Sequence, residues 1–173
     1  MITHITSGTP HGIAVDAVQV EVEVANGLPA TYIVGLADTG VQEARERIRS
    51  ALNASGRSFP KTRITINLAP ADTIKRGTHF DVPIAIALAA QESSTLAEAL
   101  QNKHIVAFGE LALDGRIRKT PGLLAAGRLA DAVQADLLLV PEDNAQEAAR
   151  FSRVPVFSCR TLNEALAYVE SPE

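Results

Sequence analysis

The sequence predicts an α/β (α+β) fold: a mixed sheet packed against helices, with a C-terminal βαβ half. Three observations predict it. Valines alternate with polar residues from Val18 to Val24, the period-two pattern of a strand with one wet face. Residues 84–90 are all apolar, so a helix there must be covered on every side. After Pro121, strand and helix patterns alternate, which favours parallel strand pairing.

The first predicted elements follow from turn and capping signals. The Asn26-Gly27 pair tolerates the backbone of a tight turn, so we expect residues 31–34 to return as the partner of the valine strand. Thr39 and Gln42 have the spacing of a capping box at a helix start, and Gly56 has the position of a helix stop.

The middle of the chain predicts a strand, a charged loop and a buried helix. Ile64, Ile66 and Leu68 alternate with polar residues, as in a half-buried strand. Asp81 has the position of a helix N-cap, and Pro83 lies in the first turn, where its missing N–H costs nothing.

The C-terminal elements are expected in alternation. They are a helix (95–100), a strand (105–113) turned at Asp114-Gly115, a helix (121–133), a strand (137–140), a helix (144–150), a strand (154–157) and a last helix capped by Thr161 with Glu164.

Composition narrows the function classes. A chain of 173 residues, 46% hydrophobic, suits one folded domain. The single cysteine, Cys159, excludes an internal disulfide framework and fits a reducing cytoplasm. The apolar runs are shorter than the roughly 20 residues that span a bilayer, so we expect a cytoplasmic protein without a membrane partner. The sequence contains neither a P-loop nor metal-ligand spacing, so we expect no cofactor and no metal in this chain.

Charge is unevenly distributed. Residues 45–76 contain eight basic and two acidic side chains, a local charge of +6 in a chain of net charge −4. Such a segment can attract a polyanion, or it can form a solvated face balanced by acidic neighbours in space. The candidate DNA-binding residues are Arg45, Arg49, Arg57, Lys61, Arg63, Lys75 and Arg76.

One pair of side chains has the residue types of a general base. His79 and Asp81 stand two residues apart beside the predicted start of the buried helix. The alternative is that His79 is a loop residue and Asp81 only caps the helix. The serines lie in no strained turn, so the sequence by itself supplies no catalytic triad.

Several motifs carry a resemblance to a known family. They are NGLP (26–29), IVGL (33–36), EARERIRSALN (43–53), NLAPAD (67–72), FDVPIA (80–85), GELALDG (109–115) and PEDNAQEA (141–148). Together they resemble the N-terminal domain of Mg-chelatase-like AAA+ proteins of the ComM (YifB) type. One departure is Ala37, where that type continues with proline.

The resemblance implies a Lon protease-like fold, of the ribosomal protein S5 domain 2-like class. In Lon proteases a serine and a lysine form the catalytic dyad. The resemblance places the serine position at Ile84. It places the lysine position at Leu124, in a helix after the GELALDG strand. Both are aliphatic, so the resemblance implies a pseudoprotease without catalytic residues, and no enzyme in this chain by itself.

The resemblance also implies a role in a larger protein. We expect one Lon-like domain over residues 1–173, with the family's AAA+ ATPase domain, which uses ATP and Mg, outside this chain. Family members are linked to branch migration and recombination of DNA during natural transformation, so DNA is an expected partner. We also expect the chain to form a homo-oligomer, which would be a ring when the AAA+ ATPase domain is present. The family name derives from relatives in pigment biosynthesis, and no residues here suggest metal handling.

Two other functions remain open at this point. A purely structural oligomerisation module could pair subunits through the edge of the valine strand, Val18–Val24. A hydrolase could use an unrecognised site, which a peptidase or esterase assay would reveal.

Overall fold

Nine strands were found in the structure, a computed structural model that describes residues 1–171. They are β1 (Ile2–His11), β2 (Ala14–Ala25), β3 (Ala30–Val34), β4 (Arg63–Ala69), β5 (Ile105–Ala107), β6 (Glu110–Leu111), β7 (Ile117–Arg118), β8 (Leu137–Pro141) and β9 (Val156–Cys159). Seven of them form one mixed sheet in the order β3-β4-β2-β1-β5-β8-β9, and β6 and β7 form a separate hairpin.

Strand direction divides the large sheet into two halves. The β1–β2 and β2–β4 pairs are antiparallel, whereas β1–β5, β5–β8 and β8–β9 are parallel. This arrangement confirms the mixed α/β fold and its parallel C-terminal half. The helices are α1 (Thr39–Gln42), α2 (Ala44–Ala54), α3 (Asp81–Ala89), α4 (Ser94–Asn102), α5 (Ala126–Ala132), α6 (Ala145–Ala149) and α7 (Leu162–Glu170), and residues Glu142–Asn144 form a 3-10 turn.

The core lies on both faces of the parallel half. Ile105 and Ala107 of β5 belong to the cluster under α2, α3, α4 and α7, while Val106 between them belongs to the cluster under α5. Both faces of β5 and β8 are thus buried, as expected for parallel strands between helices. The antiparallel half is covered on one face, and its other face carries polar side chains such as Glu23 and Thr65.

The predicted hairpin at Asn26-Gly27 is wrong. β3 does form at Ala30–Val34, but it pairs in parallel with β4 instead of returning along β2. The two edges of β2 are already occupied by β1 and β4, which between them cover its length. The edge-pairing role suggested for Val18–Val24 is therefore also wrong, because that segment is internal to the sheet.

Several element boundaries also differ from the predictions. Asp38, not Thr39, caps the first helix, and its carboxylate accepts from the Val41 N–H at 2.9 Å. The strand predicted over 105–113 is broken at Gly109, whose φ of 154° few other residues adopt. The helix predicted from residue 121 begins only at Ala126. The Thr161 cap is confirmed, since its hydroxyl accepts from the Glu164 N–H.

Strand β1 was not predicted from the sequence, although it lies in the middle of the sheet. Its buried face carries hydroxyls as well as hydrocarbon: Thr3 donates to the Ala87 carbonyl of α3 at 2.9 Å, and Ser7 donates to the Ala107 carbonyl of β5 at 2.8 Å. These bonds satisfy polar groups that would otherwise be costly to bury. The strand therefore lacks the apolar alternation by which buried strands are recognised in sequence.

Candidate functional site

The start of α3 is the position where the resemblance places a nucleophile. Ile84 lies in the second half of the first turn, is fully buried, and belongs to the main core cluster. Its neighbours from Asp81 to Ala89 are buried as well. Leu124 lies in a turn just before α5, not in a helix, and is 43% exposed. Neither position offers a group that could attack a carbonyl or accept a proton.

The backbone donors at the start of α3 are also occupied. The Val82 N–H donates to the Gly109 carbonyl at 3.0 Å, and the Ile84 N–H donates to the Phe80 carbonyl at 3.1 Å. Pro83 between them has no N–H. An oxyanion hole needs free donors directed at the reacting oxygen, and these positions provide none.

Asp81 is held by a buried ion pair instead of capping its own helix. The N-cap position is taken by Phe80, and the fully buried Asp81 carboxylate accepts from Arg47 Nε at 2.6 Å and Nη2 at 3.0 Å. It also accepts from the Leu111 N–H at 3.0 Å. Burial raises the pKa of Asp81 to about 6, and the bonds from Arg47 and Leu111 oppose that rise. The predicted helix-capping role of Asp81 is therefore wrong.

His79 is buried and separate from Asp81. Its Nε2 lies 2.6 Å from the Gly8 carbonyl oxygen, which can only accept, so the ring carries its proton on Nε2. Burial lowers the pKa of His79 to about 4, which leaves the ring neutral near pH 7. The two side chains thus belong to different hydrogen-bond networks and do not form an acid–base pair. The prediction that His79 lies in a loop is confirmed, but the residue is buried, with only 4% of its surface exposed.

Four of the seven candidate DNA-binding residues have other partners or positions. Arg45 pairs with Glu46 at 3.2 Å, and Arg57 pairs with Glu170 at 3.5 Å. Lys75 is fully buried, and its ammonium donates to the Pro70 carbonyl, so it is not available to a surface ligand. Arg76 is exposed and lines a separate cleft described below.

Two of the other three candidates line one cleft, and the third, Arg63, follows Lys61 by two residues in the sequence. Arg49 and Lys61 line a shallow cleft of about 420 Å³, here called the basic cleft. Arg63 begins β4 but does not line the basic cleft: its side chain lies against Tyr32, on the opposite face of β4 from Ile64 and the core. The basic cleft is lined by Pro29, Arg49, Asn53, Ser58, Phe59, Pro60 and Lys61. None of these described lining residues is acidic.

Aromatic rings accompany two of these cations. The Arg49 guanidinium lies 4.8 Å from the centre of the Phe59 ring, and the Arg63 guanidinium lies 5.1 Å from the centre of the Tyr32 ring. Such stacking holds the flat guanidinium groups in place while their N–H groups remain free to donate. The surface therefore combines fixed positive charge with partly exposed rings.

A second cleft, which the sequence did not reveal, lies where three distant segments meet. It has a volume of about 740 Å³, and we call it the threonine cleft. Thr9 and Pro10 of β1 form one wall, the loop containing Arg76 and His79 another, and Thr120 a third. Asn144 holds the third wall, because its side chain accepts from the Thr120 N–H at 2.9 Å and donates to the Thr120 carbonyl at 2.7 Å. The sequence signals near it were His79, Arg76 and the NLAPAD and PEDNAQEA motifs, and none of them indicated a cleft.

Residues 1–171 offer no metal-ligand cluster and no membrane-spanning helix. These residues contain no group of three or more His, Cys, Asp or Glu side chains arranged to hold a metal ion. Among the helices described, none is both long and apolar enough to cross a membrane.

Comparisons with known proteins agree with the motifs. Residues 20–144 match the family described as subunit ChlI of Mg-chelatase. The chain is 40% identical over 160 residues to the uncharacterized protein YifB of Salmonella typhimurium and 38% identical over 160 residues to that of Escherichia coli, covering 92% of this chain in each case. It is 36% identical over 162 residues, 94% of this chain, to the competence protein ComM of Haemophilus influenzae.

The chain spans 31% of the length of each of these relatives. The match to the family covers more than half of the chain and includes β4, α3 and the 3-10 turn that carries Asn144. The chain belongs to the ChlI family of Mg-chelatase subunits and is of the ComM (YifB) type.

Proposed function

We propose that this chain is a non-proteolytic Lon-like domain that binds DNA through the basic cleft and Arg63. In this proposal it serves a larger AAA+ ATPase of the ComM type, which assembles as an oligomer and acts on DNA in recombination, branch migration and competence. The name of the Haemophilus influenzae relative, a competence protein, supports the biological setting. ATP and Mg would be used by the motor, and the domain would work in the cytoplasm.

The observation that carries the proposal is that Arg49 and Lys61 line one cleft, with Arg63 two residues beyond Lys61 in the sequence. Basic side chains on a protein surface usually have carboxylates beside them, as Arg45 and Arg57 do here. The residues lining the basic cleft include no carboxylate, so its positive charge is not locally neutralised. Phosphate oxygens would accept from the guanidinium and ammonium groups, while Phe59 and Tyr32 keep the guanidinium planes in position.

The absence of proteolysis is supported by the start of α3. A serine-type hydrolysis needs a nucleophile, a base and an oxyanion hole. At the position resembling the nucleophile the chain has the buried Ile84, and the neighbouring N–H groups donate to Gly109 and Phe80 carbonyls. This end of the helix therefore supports a domain that does not hydrolyse peptides by a Lon-type mechanism.

The test compares two variants with the same change in charge. In one, Arg49, Lys61 and Arg63 are all replaced by Ala, and in the other, the exposed Lys119, Arg150 and Arg153 are replaced by Ala. Fluorescence anisotropy with a labelled duplex at low salt should show at least a tenfold loss of affinity in the first variant, since each lost phosphate contact is worth about 1 kcal/mol or more. The second variant should bind like wild type. Equal binding by all three proteins would refute the proposal.

A second candidate function, a purely structural assembly module, is favoured by one observation. β3 is an edge strand of the sheet. Tyr32 and Val34 on its exposed face, and Leu36 two residues after its end, form a row of apolar side chains that are 49%, 46% and 52% exposed. An exposed apolar edge is a surface that another chain can cover. Sedimentation of wild type and of a Val34→Lys variant, with and without duplex DNA, separates the two functions. Assembly that depends on Val34 but ignores DNA would favour the structural module.

A further inference from the structure

Most of one face of the antiparallel half of the sheet is open to solvent. In β2 and β4, residues such as Val20 and Ile66 face the core cluster under α2, α3, α4 and α7. The residues between them face the opposite way, because side chains alternate along a strand. We call this second face the sheet floor. It is formed by Ile2, His4, Glu21, Glu23, Tyr32, Val34, Arg63, Thr65 and Asn67.

The sheet floor combines exposed apolar side chains with carboxylates. Ile2 is 54% exposed, more than either Tyr32 or Val34. Glu23 lies beside Ile2 in the register of β1 and β2, and Glu21 lies one row further along the same face. Exposed apolar surface rimmed by polar groups marks a site of interaction with another protein.

Helix α5 stands beside the sheet floor, on the same side of the sheet. Val15 lies on the same face of β2 as Glu21 and Glu23, and it belongs to the core cluster under α5. A Cβ at Gly8 of β1 would lie 2.8 Å from Leu129 Cδ2 of α5, so the helix packs closely on that end of the strands. This side of the molecule therefore has a step about one helix diameter, or about 10 Å, high.

The top of the step is aromatic and basic. The Arg128 guanidinium of α5 lies 4.6 Å from the centre of the Phe151 ring, which follows α6 and is 41% exposed. A Cβ at Gly127 would lie 2.6 Å from Ser152 Cβ, so α5 and the segment after α6 are in contact. We call this surface the arginine shelf. It is formed by Arg128, Arg150, Phe151 and Arg153.

The charge of the arginine shelf is not neutralised within the part of the chain that the structure describes. Its three arginines form no ion pair there. The Asp131 carboxylate of α5 is occupied by the backbone N–H groups of Arg153 and Val154, at 2.9 and 3.2 Å. Arginine and aromatic residues are the types enriched in protein–protein interfaces, where they pair with groups of opposite charge.

The two surfaces complement each other in charge and in shape. The sheet floor carries Glu21 and Glu23, while its cation, Arg63, is stacked on Tyr32 at the β3 side. A two-fold axis running along the step would set the shelf of one copy on the floor of the other, and the reverse. Both steps have the same height, so the two copies would interlock. A self-complementary contact of this kind is an isologous interface.

We propose that a second copy of this chain covers the sheet floor in a two-fold dimer, with the arginine shelf of each copy on the glutamates of the other. Four strands about 4.8 Å apart and six residues of about 3.3 Å give each floor a flat area of roughly 400 Å². Each copy contributes its floor and its shelf, roughly 800 Å² together, which is the size of a stable interface. The dimer extends the assembly candidate above, because it includes Tyr32 and Val34, and it does not use Arg49 or Lys61.

The test is charge reversal followed by mixing, measured by sedimentation in the absence of DNA. One variant carries Glu21→Arg with Glu23→Arg, and the other carries Arg150→Glu with Arg153→Glu. Each variant alone should dimerise at least about tenfold more weakly than wild type, because like charges then meet at both contacts. An equimolar mixture should dimerise within about threefold of wild type, because every floor again meets a shelf of opposite sign.

The matched control changes the same charge on the other side of the sheet. Glu92→Arg with Glu98→Arg, on exposed positions at α4, should dimerise like wild type. Wild type that is monomeric at about 100 µM would overturn the proposal, since interfaces of this size bind at micromolar concentrations or below. Reversed variants that dimerise normally, or a mixture that stays monomeric, would also overturn it. Neither result concerns DNA affinity, so the basic cleft is tested separately.

Discussion

Arg47 of α2 donates two hydrogen bonds to the fully buried carboxylate of Asp81 in α3, at 2.6 and 3.0 Å. The same guanidinium donates to the Gly40 carbonyl at 2.8 Å, so one side chain joins α1, α2 and the start of α3. Asp81 in turn accepts from the Leu111 N–H of β6. This network fixes the end of α3 at which the resemblance to Lon proteases places a nucleophile.

Removing one partner of this pair should be costly. Arg47→Met leaves the Asp81 carboxylate buried without its cation, and such a change destabilises a protein by about 3–5 kcal/mol. Urea unfolding monitored by circular dichroism measures the change. Arg45→Met, whose exposed side chain pairs with the exposed Glu46, is the control and should cost less than about 1 kcal/mol. Similar values for the two variants would show that the pair does not hold α3.

His79 should make stability depend on pH. The unfolded state binds a proton at this residue below pH 6.5, but the folded state does so only near pH 4, because burial lowers the pKa. The free energy of unfolding is therefore not reduced by His79 above about pH 6.5. It decreases as the pH falls toward 4, because the unfolded state then binds a proton that the folded state does not. The shift corresponds to about 3 kcal/mol.

The variant His79→Gln isolates this effect. Its amide can still donate to the Gly8 carbonyl, but it does not titrate. Asp81, whose raised pKa acts in the opposite direction, titrates in both proteins and cancels in their difference. Between pH 7 and 4, wild type should lose about 3 kcal/mol relative to the variant. Parallel curves would mean that His79 is not held neutral.

Restoring a dyad by substitution should not create a peptidase. In the variant Ile84→Ser with Leu124→Lys, the serine would be buried and the nearby N–H groups would still donate to Gly109 and Phe80. We expect no turnover of casein or of small esters, and a loss of about 3 kcal/mol or more from the core change. Wild type serves as the reference in both assays. Serine-dependent turnover in either protein would revive the hydrolase hypothesis.

Asn144 should be the residue of the PEDNAQEA motif that matters most for stability. Its buried side chain forms two hydrogen bonds with the backbone of Thr120, so Asn144→Ala should cost about 2–4 kcal/mol. Thermal unfolding measures the loss. The exposed Asp143→Ala is the neighbouring control and should change stability little. A small effect of Asn144→Ala would show that the turn at Thr120 is held by other contacts.

Sequence patterns were reliable where one periodicity dominated. The strand at residues 63–69 and the wholly buried α3 were predictable because the apolar spacing there fits only one structure. β1 was missed because Thr3 and Ser7 face the core and bond to backbone carbonyls. The partner of β3 was wrongly predicted because a turn signal at Asn26-Gly27 does not determine which strand lies next to it.

The functional residues, like the strands and helices, were predictable from the sequence only in part. The local excess of positive charge was visible in the sequence, but the roles of its members were not. Arg47 and Lys75 lie in that basic segment, yet one binds a buried carboxylate and the other is buried against a carbonyl. The threonine cleft brings together Thr9 and Thr120, more than a hundred residues apart, and no spacing rule could reveal that two hydroxyls would remain unpaired.

The salt dependence of DNA binding tests the central claim most directly. Each phosphate contact made by a cation adds about 0.9 to the slope of log affinity against log salt concentration on duplex DNA. Replacing Arg49, Lys61 and Arg63 by Ala should therefore make that slope shallower by about 2 to 3, while the Lys119, Arg150 and Arg153 variant keeps the slope of wild type. Identical slopes for all three proteins would contradict a role for the basic cleft in binding DNA.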